Sequence, residues 1–259
     1  MSNGGVAAGL LFDLDGVIHD AGRPVPGAAE TVAWAREQGI PHLFVTNTTS
    51  RPRAAIVAKL AGFGIAATVE EVLTPAVAAA AWLARQPRGG VALFAAPALR
   101  AEFRGLDLVK EGARYVVIGD LGEAWDFATM NRAFRLLMAD PDSQLVALGM
   151  TRYWKTEEGL TLDVAPFVVA LAHAADREPV VLGKPAKEFF RAGVERLGLA
   201  PAEVLMVGDD LRADVEGSQR AGLRGALVKT GKFRAADLES DVRPDLLLES
   251  IAELPRHWR

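Results

Sequence analysis

The 259-residue chain contains no cysteine. That absence removes disulfides, thiolate metal sites and cysteine nucleophiles, and it fits a reducing compartment. An excess of basic residues is also missing. The formal net charge of −4 argues against a nucleic-acid-binding surface and against a polybasic membrane patch. No apolar run reaches the length needed to span a bilayer; the one at 76–83 is far too short. Residues 1–9 place no Lys or Arg ahead of their apolar positions, so they read as a poor secretory signal. The histidines, at 19, 42, 173 and 257, show no metal-ligand spacing and read as surface or core residues. Nothing is repetitive or of low complexity. The expectation is a soluble, cytoplasmic, globular protein without nucleic-acid or membrane partners.

Half of the residues are hydrophobic, enough for a large core, and the length suits two modest domains. Short Val/Leu/Ile runs alternate with segments of helical period, the pattern of βαβ units around a parallel sheet. Strands are expected at 10–14, 40–45, 204–207, 225–228 and 245–248. Helices are expected at 28–38, 53–61, 184–197 and 214–221. The composition changes near Thr74. Between there and Val180 the pattern predicts helices at 75–85 and 127–138, strands at 91–95, 115–119 and 146–150, and an irregular hairpin at 152–162. This block has elements of its own and reads as a domain inserted into the first. The boundaries are 1–73 and 181–259 for the outer domain and 74–180 for the insertion.

The chemistry lies at the strand ends. The run Leu10-Leu11-Phe12 stops in Asp13-Leu14-Asp15-Gly16, and two carboxylates one residue apart repel unless a cation or shared proton compensates them. The run at 40–45 stops in Thr46-Asn47, and 204–207 stops in Gly208-Asp209-Asp210. Lys184 follows the apolar run 180–182. In a parallel sheet these groups converge on one edge, where open α/β sheets bind ligands. Carboxylates, a hydroxyl, an amide and an ammonium suit Mg²⁺ and a phosphate rather than a soft metal. Asp13 can attack phosphorus and form an aspartyl-phosphate. Asp209, Asp13 and the main-chain carbonyl of Asp15 would hold the Mg²⁺. Asp15 can act as general acid and then general base. Thr46 and the Asn47 N–H would cradle the phosphate, and Lys184 would clamp the transferring group. Asp210 and Asp214 would orient Lys184 or metal-bound water.

Asp13-Leu-Asp-Gly-Val, Thr46-Asn, Gly183-Lys-Pro and Gly208-Asp-Asp-x-x-x-Asp214, in that order, resemble the four motifs of the haloacid dehalogenase superfamily of phosphatases. The long insertion between the second and third motifs resembles the subgroup with an α/β cap, which includes the NagD-like proteins. Tyr153-Trp154-Lys155, Gly159-Leu-x-Leu-Asp163 and Val228-Lys-Thr-Gly-Lys232 are similar to a narrower set within it. That set holds the phospholysine phosphohistidine inorganic pyrophosphate phosphatases and the hydrolase-domain-containing protein 2 type. The resemblance implies a Rossmann-like parallel-sheet core with an inserted α/β cap, and an active site between them. It further implies Mg²⁺-dependent phosphatase activity on a small phosphorylated molecule (a phosphate monoester, an N-phosphate or a pyrophosphate), with specificity set within 150–167. A homodimer through the cap is compatible with it.

Other readings stand beside this one. A phosphotransferase or phosphomutase uses the same intermediate and differs in its acceptor. A catalytically silent binding protein would keep the fold without needing intact carboxylates. A dehalogenase needs neither Asp15 nor Asp209. Gly231-Lys232 lacks the upstream glycine and the following Ser/Thr of a nucleotide-binding loop and reads as no ATP site. Tyr153 and Trp154 suit cap packing as well as substrate contact.

Overall fold

A computed structural model describes residues 7–156 and 159–258. Most of the N-terminal stretch read as a poor signal, two residues of the 152–162 hairpin and the last residue lie outside that range. The chain packs as two compact units, one of residues 7–46, 53–73 and 184–258, the other of 47–52 and 74–183.

The first unit is built on a six-stranded, all-parallel sheet. From one edge to the other its strands are Leu246–Leu248, Arg224–Val228, Val204–Gly208, Gly9–Asp13, His42–Val45 and Val72–Leu73. Gly9–Asp13 is buried along its whole length, as expected of a strand covered on both faces. Such strands read as continuous apolar runs rather than alternating ones. Register pairs Phe12 with Val207 and Asp13 with Val45. The motif strands are therefore immediate neighbours, and their carboxyl ends stand level. Helix Ala28–Glu37 buries Ala28, Thr31, Val32 and Ala35, one face at helical spacing. Helix Lys187–Leu197 likewise buries Phe189, Phe190, Gly193 and Val194. It begins three residues after Lys184, so Lys184 stands on the loop ahead of the helix and not within it.

The second unit holds a four-stranded parallel sheet in the order Val180–Val181, Gln144–Ala147, Ala113–Ile118, Gly90–Phe94. Helix Phe127–Ala139 starts at Asp126, whose side chain accepts from the Thr129 N–H at 2.7 Å; this is ordinary N-capping. Helix Val164–Ala175 goes beyond the elements expected from sequence. It packs beside Phe127–Ala139 on the sheet, and Phe94, Trp125 and Phe167 stack in series. Tyr153–Thr156 and Gly159–Leu162 pair antiparallel as a hairpin, with Tyr153 and Trp154 exposed.

The strand Val180–Val181 pairs with Gln144–Ala147, and the Leu182 N–H donates to the Ala147 carbonyl. Residues 181–183 thus travel with the second unit, and the first resumes at Lys184. Among the described residues no helix is long and apolar enough to cross a membrane.

Candidate active site

Parallel pairing brings the carboxyl ends of Gly9–Asp13 and Val204–Gly208 side by side, and the loop before helix Lys187–Leu197 adds Lys184. The result is a buried cluster. Asp13, Asp209 and Asp214 each offer one carboxylate oxygen, all within 4.8 Å of one another. All three are buried, as is Lys184. The Lys184 ammonium donates to Asp13 Oδ1 at 2.7 Å. It also forms an ion pair with Asp214 Oδ1 at 2.7 Å.

Burial, with Asp214 and Asp209 close by, pushes the Asp13 carboxyl well above the usual range despite Lys184. Burial likewise raises Asp209 to about 6, against the opposing pull of the Lys232 N–H. Desolvation works against the charged form of Lys184, but Asp13 and Asp214 outweigh it and hold its pKa above the ordinary value. Ionised, three carboxylates against one ammonium leave two negative charges uncompensated inside the protein, a costly state unless a cation joins them. Asp209 Oδ1 is buried and has no hydrogen-bond partner among the described residues. Hard oxygen donors, two surplus charges and an unpartnered oxygen fit a divalent cation of the Mg²⁺ or Ca²⁺ type.

The remaining expected residues take distinct places. Asp15 is exposed, and its Oδ1 lies 3.4 Å from His19 Nδ1; its side chain is outside the three-carboxylate cluster. Asp210 caps the following turn, with Oδ1 accepting from the N–H groups of Arg212 and Ala213. Those bonds and Lys232 outweigh burial and hold its carboxyl below the usual range. Asp214, expected as an orienting residue, belongs to the cluster itself and also accepts the Asp210 N–H through Oδ2 at 3.1 Å. Thr46 is buried one residue beyond Val45, the partner of Asp13 in register. Asn47 follows it in the second unit.

Sequence reasoning singled out 228–232 as a motif of resemblance but gave Thr230-Gly231-Lys232 no part in the site. The Lys232 N–H donates to Asp209 Oδ2 at 2.7 Å, and the Thr230 hydroxyl donates to the Gly16 carbonyl. Gly16 and Gly231, both at positive φ, leave room for Asp209. A Cβ on either would sit 2.0 or 2.1 Å from Asp209 Oδ2. The available signal was positional: the segment leaves the carboxyl end of Arg224–Val228, next to the strand that delivers Asp209.

A family model described as haloacid dehalogenase-like hydrolase matches residues 10–109, and one described as HAD-hydrolase-like matches 181–254. The phospholysine phosphohistidine inorganic pyrophosphate phosphatase of Homo sapiens is 36% identical over 250 residues, covering 95% of this chain and 92% of its own. The chain belongs to the haloacid dehalogenase-like hydrolases. The haloacid dehalogenase-like hydrolase domain-containing protein 2 of Bos taurus is 38% identical over 249 residues, covering 96% of this chain and 94% of its own. Among solved structures, a p-nitrophenyl phosphatase from Archaeoglobus fulgidus superposes with a TM-score of 0.89 at 28% identity, covering 98% of this chain and all of that one. This haloacid dehalogenase-like chain is an enzyme of the phosphatase type, with a parallel-sheet α/β core.

Proposed function

We propose that this haloacid dehalogenase-like enzyme is a Mg²⁺-dependent phosphatase acting through an aspartyl-phosphate on Asp13, with Asp15 as general acid and base. The observation that carries the reading is the buried cluster of Asp13, Asp209 and Asp214 around one ammonium, with an oxygen of Asp209 left unpartnered.

The Asp13 carboxylate attacks phosphorus while the bond to the leaving oxygen breaks, and Asp15 gives that oxygen a proton. Asp15 then takes a proton from water, whose oxygen attacks the same phosphorus. The bond to Asp13 breaks, inorganic phosphate leaves, and the carboxylate is restored. Lys184, already 2.7 Å from Asp13, neutralises charge on the phosphoryl oxygens without reorganising. Thr46 and the Asn47 N–H, at the adjacent strand end, bind the remaining oxygens. Mg²⁺ held by Asp13, Asp209 and the Asp15 carbonyl would supply the charge that lets two anions approach. Asp214 holds Lys184, and Asp210 shapes the turn that carries Asp214.

The substrate is a small phosphorylated molecule. N-phosphates and pyrophosphate enter from the name of the human relative, and aryl monoesters from that of the archaeal one. The division into core segments 1–73 and 181–259 around a cap at 74–180, the homodimer through that cap and a cytoplasmic location belong to the same reading. Light scattering tests the dimer.

The deciding assay is phosphate release from p-nitrophenyl phosphate with and without Mg²⁺, followed by a panel of phosphosugars, phosphoglycolate, pyrophosphate and phospho-amino acids. Cation-dependent release is expected. Full turnover by Asp13→Asn would remove Asp13 from the chemistry, and transfer to an added alcohol in place of water would identify a phosphotransferase.

A further inference from the structure

Asp15 is exposed, and a carboxylate on a loop samples many orientations, whereas acid and base catalysis needs it at one place beside the transferring group. Bonds to both main-chain groups of Gly16 fasten that loop. The Gly16 N–H donates to the His19 carbonyl at 2.7 Å, which fixes the Asp15–Gly16 peptide from within the turn. The Gly16 carbonyl accepts from the Thr230 hydroxyl, 214 positions away in sequence. A carbonyl has no proton to give, so the hydroxyl is the donor. Gly16 is buried, and a buried carbonyl requires such a partner.

Thr230 is itself held on both sides. It stands two residues beyond strand Arg224–Val228, and the Lys229 N–H donates to the Leu248 carbonyl at 2.9 Å, which carries the sheet ladder up to its neighbour. Two residues on, the Lys232 N–H is bound to Asp209 Oδ2 at 2.7 Å. Gly231 lies against the Asp15 loop, so close that a Cβ on it would sit 2.5 Å from the Gly16 Cα. The segment is therefore anchored to the sheet at one end and to Asp209 at the other, and the Thr230 hydroxyl ties the Asp15 loop to that frame. We propose that Thr230 is a positioning residue for the reaction: its hydroxyl holds the Gly16 carbonyl, and Asp15, one residue earlier, thereby keeps its carboxyl within reach of the leaving oxygen. The inference rests on the proposed acid–base role of Asp15. Valine at 230 would keep the shape and leave the Gly16 carbonyl unpaired, so the peptide would turn to find another donor and carry Asp15 with it. A misplacement of about 1 Å at a reacting group costs on the order of 10²-fold in rate.

The test compares two aryl esters that differ in their need for a proton. Phenyl phosphate releases a phenol of pKa about 10 and depends on a donated proton; p-nitrophenolate, stabilised by its nitro group, depends on one less. Because kcat/KM follows the reaction from free enzyme and substrate to the transition state, it reads the acid step directly. In Thr230→Val, kcat/KM for phenyl phosphate should fall on the order of 10- to 100-fold, and for p-nitrophenyl phosphate by a clearly smaller factor. Thr230→Ser restores the hydroxyl and should recover most of both losses. If Thr230→Val does not fold, Thr230→Ala makes the same comparison. Equal losses on the two esters would make the hydroxyl a support of the fold alone and overturn the proposal, as would wild-type kinetics in the valine variant or no recovery with serine. Asp15→Asn separates the two levels. If Asp15→Asn keeps wild-type turnover of phenyl phosphate, the acid–base reading falls and the role of Thr230 with it. If Asp15→Asn is inactive while Thr230→Val turns over normally, only the positioning role falls.

Discussion

Lys184 and Asp13 are 171 positions apart in sequence, yet their side chains meet at 2.7 Å inside the protein. The pair holds two halves of the first unit together and sets the charge of the site. Removing one member of a buried ion pair leaves the other uncompensated, at a cost of about 3–5 kcal/mol. Lys184→Met should therefore lower cation-free stability by about that much in chemical denaturation. It should also reduce kcat by roughly 10²–10³-fold, the scale of losing one donor to the transferring group. Loss of activity with full stability would mean that the ammonium serves chemistry alone.

Asp13→Asn should separate stability from function. The raised pKa of Asp13 means that the folded protein disfavours its charged form, and the amide removes one of three clustered negative charges while Lys184 keeps Asp214. Turnover should disappear. The melting temperature measured with EDTA present should stay level or rise, the trade expected of a residue retained for activity at the expense of stability. A fall of several degrees would show that the Lys184 pair outweighs the repulsion.

Much of this site was legible in the sequence because parallel strands bring their carboxyl ends to one edge. Asp13 and Asp209 each close an apolar run, and knowing that the runs are strands was enough to place both. Asp214 was legible as a neighbour of the site, but its entry into the cluster depends on how the turn after Gly208 folds back. Residues 228–232 stood out as a family motif, but their part in the site was not legible. Lys232 acts on Asp209 through its main-chain N–H, a group that every residue but proline possesses. The boundary between 180 and 181 was drawn through the strand Val180–Val181, because a short apolar run shows that it is a strand and not which sheet it joins.

The acidity of Asp209 predicts how pH and cations act together. Its folded pKa is about 6 against an ordinary 3.8, so between those values the folded state binds the extra proton. Its contribution to stability is fully present below about 3.8 and is lost as pH rises through about 6. Asp13 shifts in the same direction. A ligand carboxylate must be deprotonated to bind a cation. Added Mg²⁺ should therefore raise the melting temperature more at pH 7.5 than at pH 5, when thermal shift is recorded with and without the ion at both. Equal increments would place the cation away from Asp209.

Gly231 should prove as sensitive as the carboxylate it faces. A Cβ there would lie 2.1 Å from Asp209 Oδ2 and 2.5 Å from the Gly16 Cα, at a φ of +64°. The second of these neighbours is backbone, so relief requires Asp209 to swing away or the two loops to part. Overpacking of this kind costs about 1–3 kcal/mol, beyond the cost of a side chain at positive φ. Gly22→Ala isolates the backbone term, because Gly22 has a φ of +79° and no atom within 4 Å of where an added methyl group would sit. Gly231→Ala should destabilise the protein by more than Gly22→Ala in denaturant titration and weaken Mg²⁺ binding at least tenfold by calorimetry, whereas Gly22→Ala leaves binding unchanged. If the two variants lose the same stability and both bind the ion normally, the segment at 230–232 is a neighbour of Asp209 and not its support.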